Sequence, residues 1–229
     1  MIPGDVNGDN KVNGSDSLLI NQVVIGLRQP TDSIFGGNFQ NGDVNGDNQV
    51  NGADSLLINQ VLIGLRSHIV TKVIPNEIYQ DQFQNLTIYG MGFKTNPQNV
   101  ELNSVNCPNA TRISDYEIKA DFPRGIPITG KFSLIVNYNP QHGTLSFAKV
   151  TVLPIRSPSS LVAQSINSSL INLNWFDNTT EDGFVLERSN SNFGPWNDSF
   201  NLSSGINNYN DINLTPDTNY CYRIKAFVN

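Results

Sequence analysis

The chain has 229 residues, 14 basic and 20 acidic, and its net charge of −6 argues against a nucleic-acid backbone as partner. Only 15% of residues are charged and 38% are hydrophobic, with Asn, Ser, Thr and 18 Gly making up a polar balance that suits small β-rich modules better than one large core. No stretch approaches the roughly 20 apolar residues of a membrane span, which excludes insertion as a helix. The opening Met1-Ile2-Pro3-Gly4 has neither the basic nor the apolar region of a secretory signal, so a targeting segment lies upstream or the protein is cytosolic. Cys107 and Cys221 fall in different predicted modules, so neither closes a loop within its own.

The first element is a duplication. Gly4 to Arg28 reads GDVNGDNKVNGSDSLLINQVVIGLR, and Gly42 to Arg66 reads GDVNGDNQVNGADSLLINQVLIGLR. Oxygen-bearing side chains stand at loop positions 1, 3, 5, 9 and 12: Asp5, Asn7, Asp9, Asn13 and Asp16, then Asp43, Asn45, Asp47, Asn51 and Asp54. Position 7 supplies a backbone carbonyl, so Lys11 and Gln49 are tolerated there. A hard cation that wants six to eight oxygens at about 2.3 to 2.6 Å is served by a tight loop that turns alternate side chains inward, and this is the ligand spacing of a calcium loop. The turn position carries Asn10 and Asn48 in place of Gly, residues that tolerate a left-handed backbone, and the last ligand is Asp in place of Glu. Residues 1–66 hold seven Asp, no Glu and three basic residues, a charge of −4 that two Ca²⁺ ions would neutralise. The competing reading, an Asx-rich turn, explains one such string more easily than two near-identical ones, each feeding an apolar helix.

Each loop is predicted to feed a helix but not to follow one, since only four residues precede Asp5 and Gln29 to Asn41 contains Pro30, Gly36 and Gly37. Leu19, Ile20, Val23, Val24 and Leu27 form one arc of the first helix, with Leu57, Ile58, Val61, Leu62 and Leu65 in the second, and these arcs are the predicted core. Leu18 and Ile25, like Leu56 and Ile63, lie off the arc beside Asn21 and Gln22, or Asn59 and Gln60, and leave a smaller apolar strip for something to cover. Duplicated calcium loops with an exiting helix resemble the type I dockerin family over residues 1–66. The resemblance implies two bound Ca²⁺ and docking onto a cohesin domain of a scaffold protein. It assigns the contact to Gly14, Ser15, Leu18, Asn21, Gln22 and Ile25 and to Gly52, Ala53, Leu56, Asn59, Gln60 and Ile63. The Ser-Thr pair of the best-known members is absent. Near-identity of the two sets suggests that either helix could present the same face. The alternative cover for the strip is the neighbouring domain or the inter-repeat segment with Phe35 and Phe39. A domain this small buries little apolar area; with a Kd of order 10⁻⁵ M, about 1 mM Ca²⁺ would add roughly 2.7 kcal/mol per site.

From Val70 the pattern turns to β: VTKVIP, NLTIYGMGF, NVELN, YEIKADFP, KFSLIVNY and LSFAKVTVLPI, with alternation at Leu86 and Ile88 and at Phe132, Leu134 and Val136. Pro75 followed by Leu86-Thr87-Ile88-Tyr89-Gly90-Met91-Gly92-Phe93 resembles the IPT/TIG immunoglobulin-like family over residues 69–154, with Gly90 and Gly92 where a side chain will not fit. Arg156 to Ser160 reads as a linker. Beyond it, strands around Leu161, Ile171 to Trp175 and Gly183 to Arg188 precede Leu214-Thr215-Pro216-Asp217-Thr218-Asn219-Tyr220, which matches a tyrosine corner. This resembles fibronectin type III over residues 158–229, with Trp175 in the core, Tyr220 at the corner and the last strand lacking, which would leave a sheet edge open.

The fold class is therefore multidomain: a small all-α calcium-binding dockerin of two loop-helix (F-hand) repeats, then two all-β immunoglobulin-like sandwiches. No catalytic residue is assigned. The glutamates stand singly, the aspartates are mostly committed to calcium, and His68 and His142 read as solvated polar residues in a linker and a hairpin turn. Cys107 and Cys221 read as packed or inert thiols. Trp196 with Phe193 and Pro195 is either a sugar-stacking platform or a hairpin tip packed on its own sandwich. The resemblances imply a non-enzymatic, extracellular or cell-surface adaptor of a cellulosome-like polysaccharide-degrading assembly. Its partners would be a cohesin and, as a second candidate, polysaccharide, and any glycoside hydrolase would lie outside this fragment. The alternative is a calcium-stabilised stalk or adhesin with no cohesin partner.

Overall fold

The computed structural model describes residues 1–107, 109–124, 128–138 and 145–228; His142 lies outside them. The chain forms two compact units. One comprises Met1–Ile78, Phe83–Pro123 and Gly130–Val152, and the other Leu153–Asn229 with two short stretches, Tyr79–Gln82 and Arg124–Thr129.

In the first unit the duplicated segments form helices α1 (Gly14–Val24) and α2 (Gly52–Leu62). Each starts at a capping box. The Asn13 or Asn51 side chain accepts an N–H of the first turn while the carboxylate of Asp16 or Asp54 accepts the cap's own N–H. Each stops at glycine: Gly26 and Gly64 take φ 77, a left-handed backbone that a residue with a Cβ adopts only under strain, and Gly26 N–H reaches Val23 O at 3.0 Å while Leu27 N–H reaches Gln22 O at 2.8 Å. This stop corrects the sequence-derived core. Leu27 and Leu65 lie past the helix ends and are exposed, as are Val24 and Leu62, so the buried stripe is Leu19 and Ile20 in α1 and Ile58 and Val61 in α2. The helices touch at Ser17 and Ser55, whose buried hydroxyls are 2.9 Å apart. Phe35 and Phe39, from the inter-repeat segment, stack edge to face at 4.9 Å and enter this core instead of covering the outer strip.

The same unit contains a sandwich of strands β1 (Ile69–Ile74), β2 (Glu77–Tyr79), β3 (Gln84–Met91), β4 (Asn99–Leu102), β5 (Val105–Asn106), β6 (Asn109–Ser114), β7 (Glu117–Phe122), β8 (Gly130–Asn137), β9 (Leu145–Ser146) and β10 (Lys149–Leu153). One sheet runs β6-β7-β3-β1-β9, the other β2-β10-β8-β4-β5. The apolar run from Leu145 is broken where the chain changes sheets: β9 pairs parallel with β1, and β10 antiparallel with β8. Alternation places Leu86, Ile88, Leu134 and Val136 in the core. A bulge at Thr71 faces Gly90, where a Cβ would collide with the Ile69 carbonyl oxygen. The helical core and the sandwich are continuous, because Ile69, Met91 and Phe147 join Val6, Leu19, Ile20, Phe35 and Ile58 in one cluster.

The second unit carries β11 (Ser159–Asn167), β12 (Leu170–Phe176), β13 (Gly183–Ser189), β14 (Asp198–Ser203), β15 (Asn208–Ile212) and β16 (Cys221–Phe227). They form two three-stranded sheets, β11-β12-β15 and β14-β13-β16. Trp175 packs edge to face on Phe184 in their core, and Thr215 N–H donates to Tyr220 Oη at 3.1 Å, which is the expected tyrosine corner.

Candidate functional site

The two acidic loops are built by the same local rule: each ligand-type side chain is oriented by a backbone N–H that it accepts. Asp5 accepts Gly8 N–H at 2.7 Å and Asn10 N–H at 3.0 Å. Asn7 accepts from Asp9 and Asp9 from Lys11. In the second loop Asp43 accepts Gly46 N–H at 2.7 Å and Asn48 N–H at 3.0 Å, Asn45 accepts from Asp47 and Asp47 from Gln49. Asn10 and Asn48 adopt φ 65 and φ 67, so the left-handed turn that Gly normally supplies is made by Asn.

At the end of each loop, Asp16 accepts Val6 N–H at 3.0 Å and Asn13 N–H at 2.9 Å, tying the loop's start to the helix's first turn; Asp54 does the same with Val44 and Asn51. Both carboxyls are fully buried. Burial raises their pKa, the backbone bonds lower it, and the neighbouring Asp5 or Asp43 charge raises it further. Among the described residues none of the six loop aspartates pairs with a Lys, Arg or His. Buried carboxylates with no protein cation, in a setting of Asn and backbone oxygens, form a donor set that fits a hard divalent ion such as calcium. Among the described residues no three His, Cys, Asp or Glu side chains converge closely enough to hold a metal by themselves. The carboxamide and main-chain oxygens would therefore have to complete either site.

The position-9 residues serve a purpose that spacing did not reveal. Asn13 Oδ1 accepts Ser15 N–H at 2.8 Å and Asn51 Oδ1 accepts Ala53 N–H at 2.8 Å, so both are helix caps. The signal was present in the sequence, as Asn three residues before Asp at the head of an apolar run. Lys11 and Gln49 are exposed.

The residues assigned to a partner face sit as follows. Gly14, Ser15, Gly52 and Ala53 are exposed, as is Asn21, while Asn59 is half-buried. Gln22 Oε1 accepts Arg28 Nε–H at 2.7 Å, and Gln60 Oε1 accepts Arg66 Nε–H at 2.5 Å, which fixes both amides on the helix surface. Leu18 is 58% and Ile25 68% exposed, Leu56 57% and Ile63 70%, so the strip is open twice within this unit. Val24 and Leu27, with Leu62 and Leu65, widen it at the helix ends. The pattern at 100° per residue missed these four, although Gly26 and Gly64 mark where the helical period ends.

His68 is corrected: it is buried, with Nε2 2.8 Å from Val136 O and Nδ1 2.8 Å from Ser67 Oγ, and its ring meets Tyr138 edge to face at 4.8 Å. Burial pulls its pKa down, so the ring is neutral and packed. Cys107 is buried and burial pushes its thiol pKa up; neither cysteine is in a disulfide. The Arg223 guanidinium lies 4.4 Å from the Trp196 ring centre and covers one face, while Phe193 is exposed. No helix of the described residues is long and apolar enough to cross a membrane.

Two family models match the first two modules of this layout. The family described as the dockerin type I domain matches residues 3–63, and the IPT/TIG domain matches residues 69–152. The chain therefore carries a type I dockerin domain followed by an IPT/TIG domain. No curated protein matches the chain. Among solved structures, an Fn3-like protein from Clostridium thermocellum is 24% identical, covering 33% of this chain and 78% of its own, at a TM-score of 0.30. A segment of two fibronectin type III domains from chicken tenascin is 11% identical, covering 72% of this chain and 91% of its own, at a TM-score of 0.37.

Proposed function

We propose that this chain is a calcium-dependent docking module that attaches a longer extracellular polypeptide to a cohesin-bearing scaffold, in an assembly of the polysaccharide-degrading, cellulosome-like kind. One Ca²⁺ in each loop is held by Asp5, Asn7, Asp9, the Lys11 carbonyl and Asp16, and by Asp43, Asn45, Asp47, the Gln49 carbonyl and Asp54. Asn13 and Asn51 act through a water or solely as caps. Calcium supplies the positive charge that the buried carboxylates lack, and the chain's own residues then hold the loops and helix starts in register. The partner binds the exposed ribs of α1 and α2. The immunoglobulin-like sandwiches, including a fibronectin type III module over residues 158–229, act as spacers. The modules recognised here are non-catalytic types.

The observation that carries this reading is the pairing of two loops of cation-less carboxylates, each closed by a fully buried aspartate, Asp16 or Asp54, with two exposed apolar ribs of the same composition. The test is capture of the intact chain by a panel of cohesin domains with Ca²⁺ and with EDTA. Metal-dependent capture supports the proposal, and none across the panel refutes it. If either rib can dock, charge at Gln22 and Ile25 leaves affinity intact until Gln60 and Ile63 are changed too.

A second reading is a calcium-stabilised stalk. It is favoured by one feature, the merging of the helical core with the sandwich through Ile69, Met91 and Phe147, which ties the calcium loops to their own chain. Thermal stabilisation by Ca²⁺ without capture by any cohesin would select it.

A further inference from the structure

Resting on the calcium reading above, we infer that Tyr116 of the IPT/TIG sandwich is a positioning residue of the first loop, so that two loops with the same ligands fill unequally, the first before the second. Val12 lies between Lys11 and Asn13, at loop position 8, and its N–H donates to Tyr116 Oη at 3.2 Å across 104 residues of sequence. Tyr116 is itself fixed in the turn between β6 and β7: its N–H donates to Ser114 Oγ at 3.1 Å and its carbonyl accepts Gly90 N–H at 3.1 Å. The sandwich therefore grips the ligand-bearing backbone of loop 1 from outside.

Other restraints converge on the same loop. The buried Asn41 donates from Nδ2 to Asp5 O at 3.0 Å and accepts Gly4 N–H at 2.7 Å. Asn38 packs so closely on Gly8 that an added Cβ would collide with its amide. Loop 2 carries fewer such restraints. A Cβ at Gly46 would meet nothing within 4 Å, and among the described residues the N–H of Val50, the counterpart of Val12, donates to no side chain. Asp5 is 3% exposed, whereas Asp43 is half-buried.

The local geometry of the loops is nearly the same, so their ligands do not distinguish them. Binding includes the cost of ordering the groups that bind, and a loop already held in shape pays less of it at the moment of binding. A drier carboxylate also attracts the ion through a lower effective dielectric. Both effects favour loop 1.

The test is calcium titration of the intact chain, by calorimetry and by backbone amide NMR. The expected result is two resolved affinities, with amides of residues 6–13 shifting before those of 44–51. Tyr116→Phe keeps the ring and loses the acceptor; it should weaken the first ion by roughly two- to tenfold, the span of one hydrogen bond, and leave the second unchanged. In EDTA the Val12 amide should exchange faster by a similar factor. Asn41→Ala, which removes the side-chain bond to the Asp5 carbonyl and leaves the Tyr116 bond in place, should give the same selective loss, whereas a folding defect in either variant would show itself by lowering both affinities. Simultaneous filling of the two loops, or selective loss in neither variant, overturns the inference while the calcium reading stands. Absence of calcium uptake by either loop overturns both.

Discussion

Asn13 is where ligation and helix capping make opposite predictions. If its side chain serves the metal, Asn13→Ala should destabilise the protein only in the presence of calcium. The observed bond, Asn13 Oδ1 to Ser15 N–H at 2.8 Å, makes it the cap of an 11-residue helix. Loss of such a cap costs about 1 kcal/mol, within a span of roughly 0.5 to 2. The reciprocal bond, Asn13 N–H to Asp16 Oδ2 at 2.9 Å, uses main chain on the Asn side and survives the substitution, so no larger loss is expected. For a unit of this size that shifts the thermal midpoint by roughly 4 °C. The assay is thermal unfolding by circular dichroism with Ca²⁺ and with EDTA, on Asn13→Ala and on Asn13→Ser, whose hydroxyl caps equally well. The expected result is a similar drop for Ala in both conditions and recovery by Ser. A drop confined to the calcium-loaded protein would refute the capping argument. Asn51→Ala should behave alike, since its bond to Ala53 N–H is also 2.8 Å.

Three further outcomes follow from the structure. His68 is buried and neutral with a lowered pKa, so the unfolded chain takes up the proton first: its contribution to stability is complete above pH 6.5 and is lost as pH falls below that value. Urea midpoints between about pH 5 and 7.5 should show this slope, and His68→Gln should flatten it. Gly90→Ala would drive a methyl into the Ile69 carbonyl and the Phe93 ring, forcing β1 from β3; a loss of about 3 kcal/mol or an insoluble product is expected, and wild-type stability would contradict the geometry. In the second unit Arg188 Nη1 holds both oxygens of the buried Asp211 at 2.9 Å, leaving Tyr222 Oη at 2.8 Å as the remaining donor. Arg188→Met should cost about 3 to 5 kcal/mol, and adding Asp211→Asn should recover part of it, read as chemical-denaturation midpoints.

Much of the fold is legible in the residues. The alternation at Leu86 and Ile88, and at Leu134 and Val136, reports burial directly because a strand's period of two leaves no other face for these side chains. The tyrosine corner at Tyr220 and the core position of Trp175 follow from local motifs. Short polar edge strands such as β6 were not legible, since Asn109 to Ser114 alternates only between exposed and half-buried and its residues show no apolar period of two. Nor was the break between β9 and β10, because an apolar run reads the same whether it stays in one sheet or crosses to the other. The solvated reading of His68 failed for a related reason: its partners, Val136 and Tyr138, are distant in sequence.

The repeat by itself determined that two loops have one chemistry, since Asp5, Asn7, Asp9 and Asp16 return as Asp43, Asn45, Asp47 and Asp54 at matching positions. It also encodes the caps and the helix stops, because the Asn before a first turn acts through its own side chain and the Gly after a last one through its own φ, although the 100° period alone runs past those stops to Leu27 and Leu65. Only the tertiary structure decided that the copies are unequal. Val12 and Val50 are the same residue in the same local context, yet one N–H meets the phenol of Tyr116 and the other does not. A near-symmetric duplication placed beside an asymmetric sandwich must present its two loops to different surroundings, and no pattern within either copy can record which one is held.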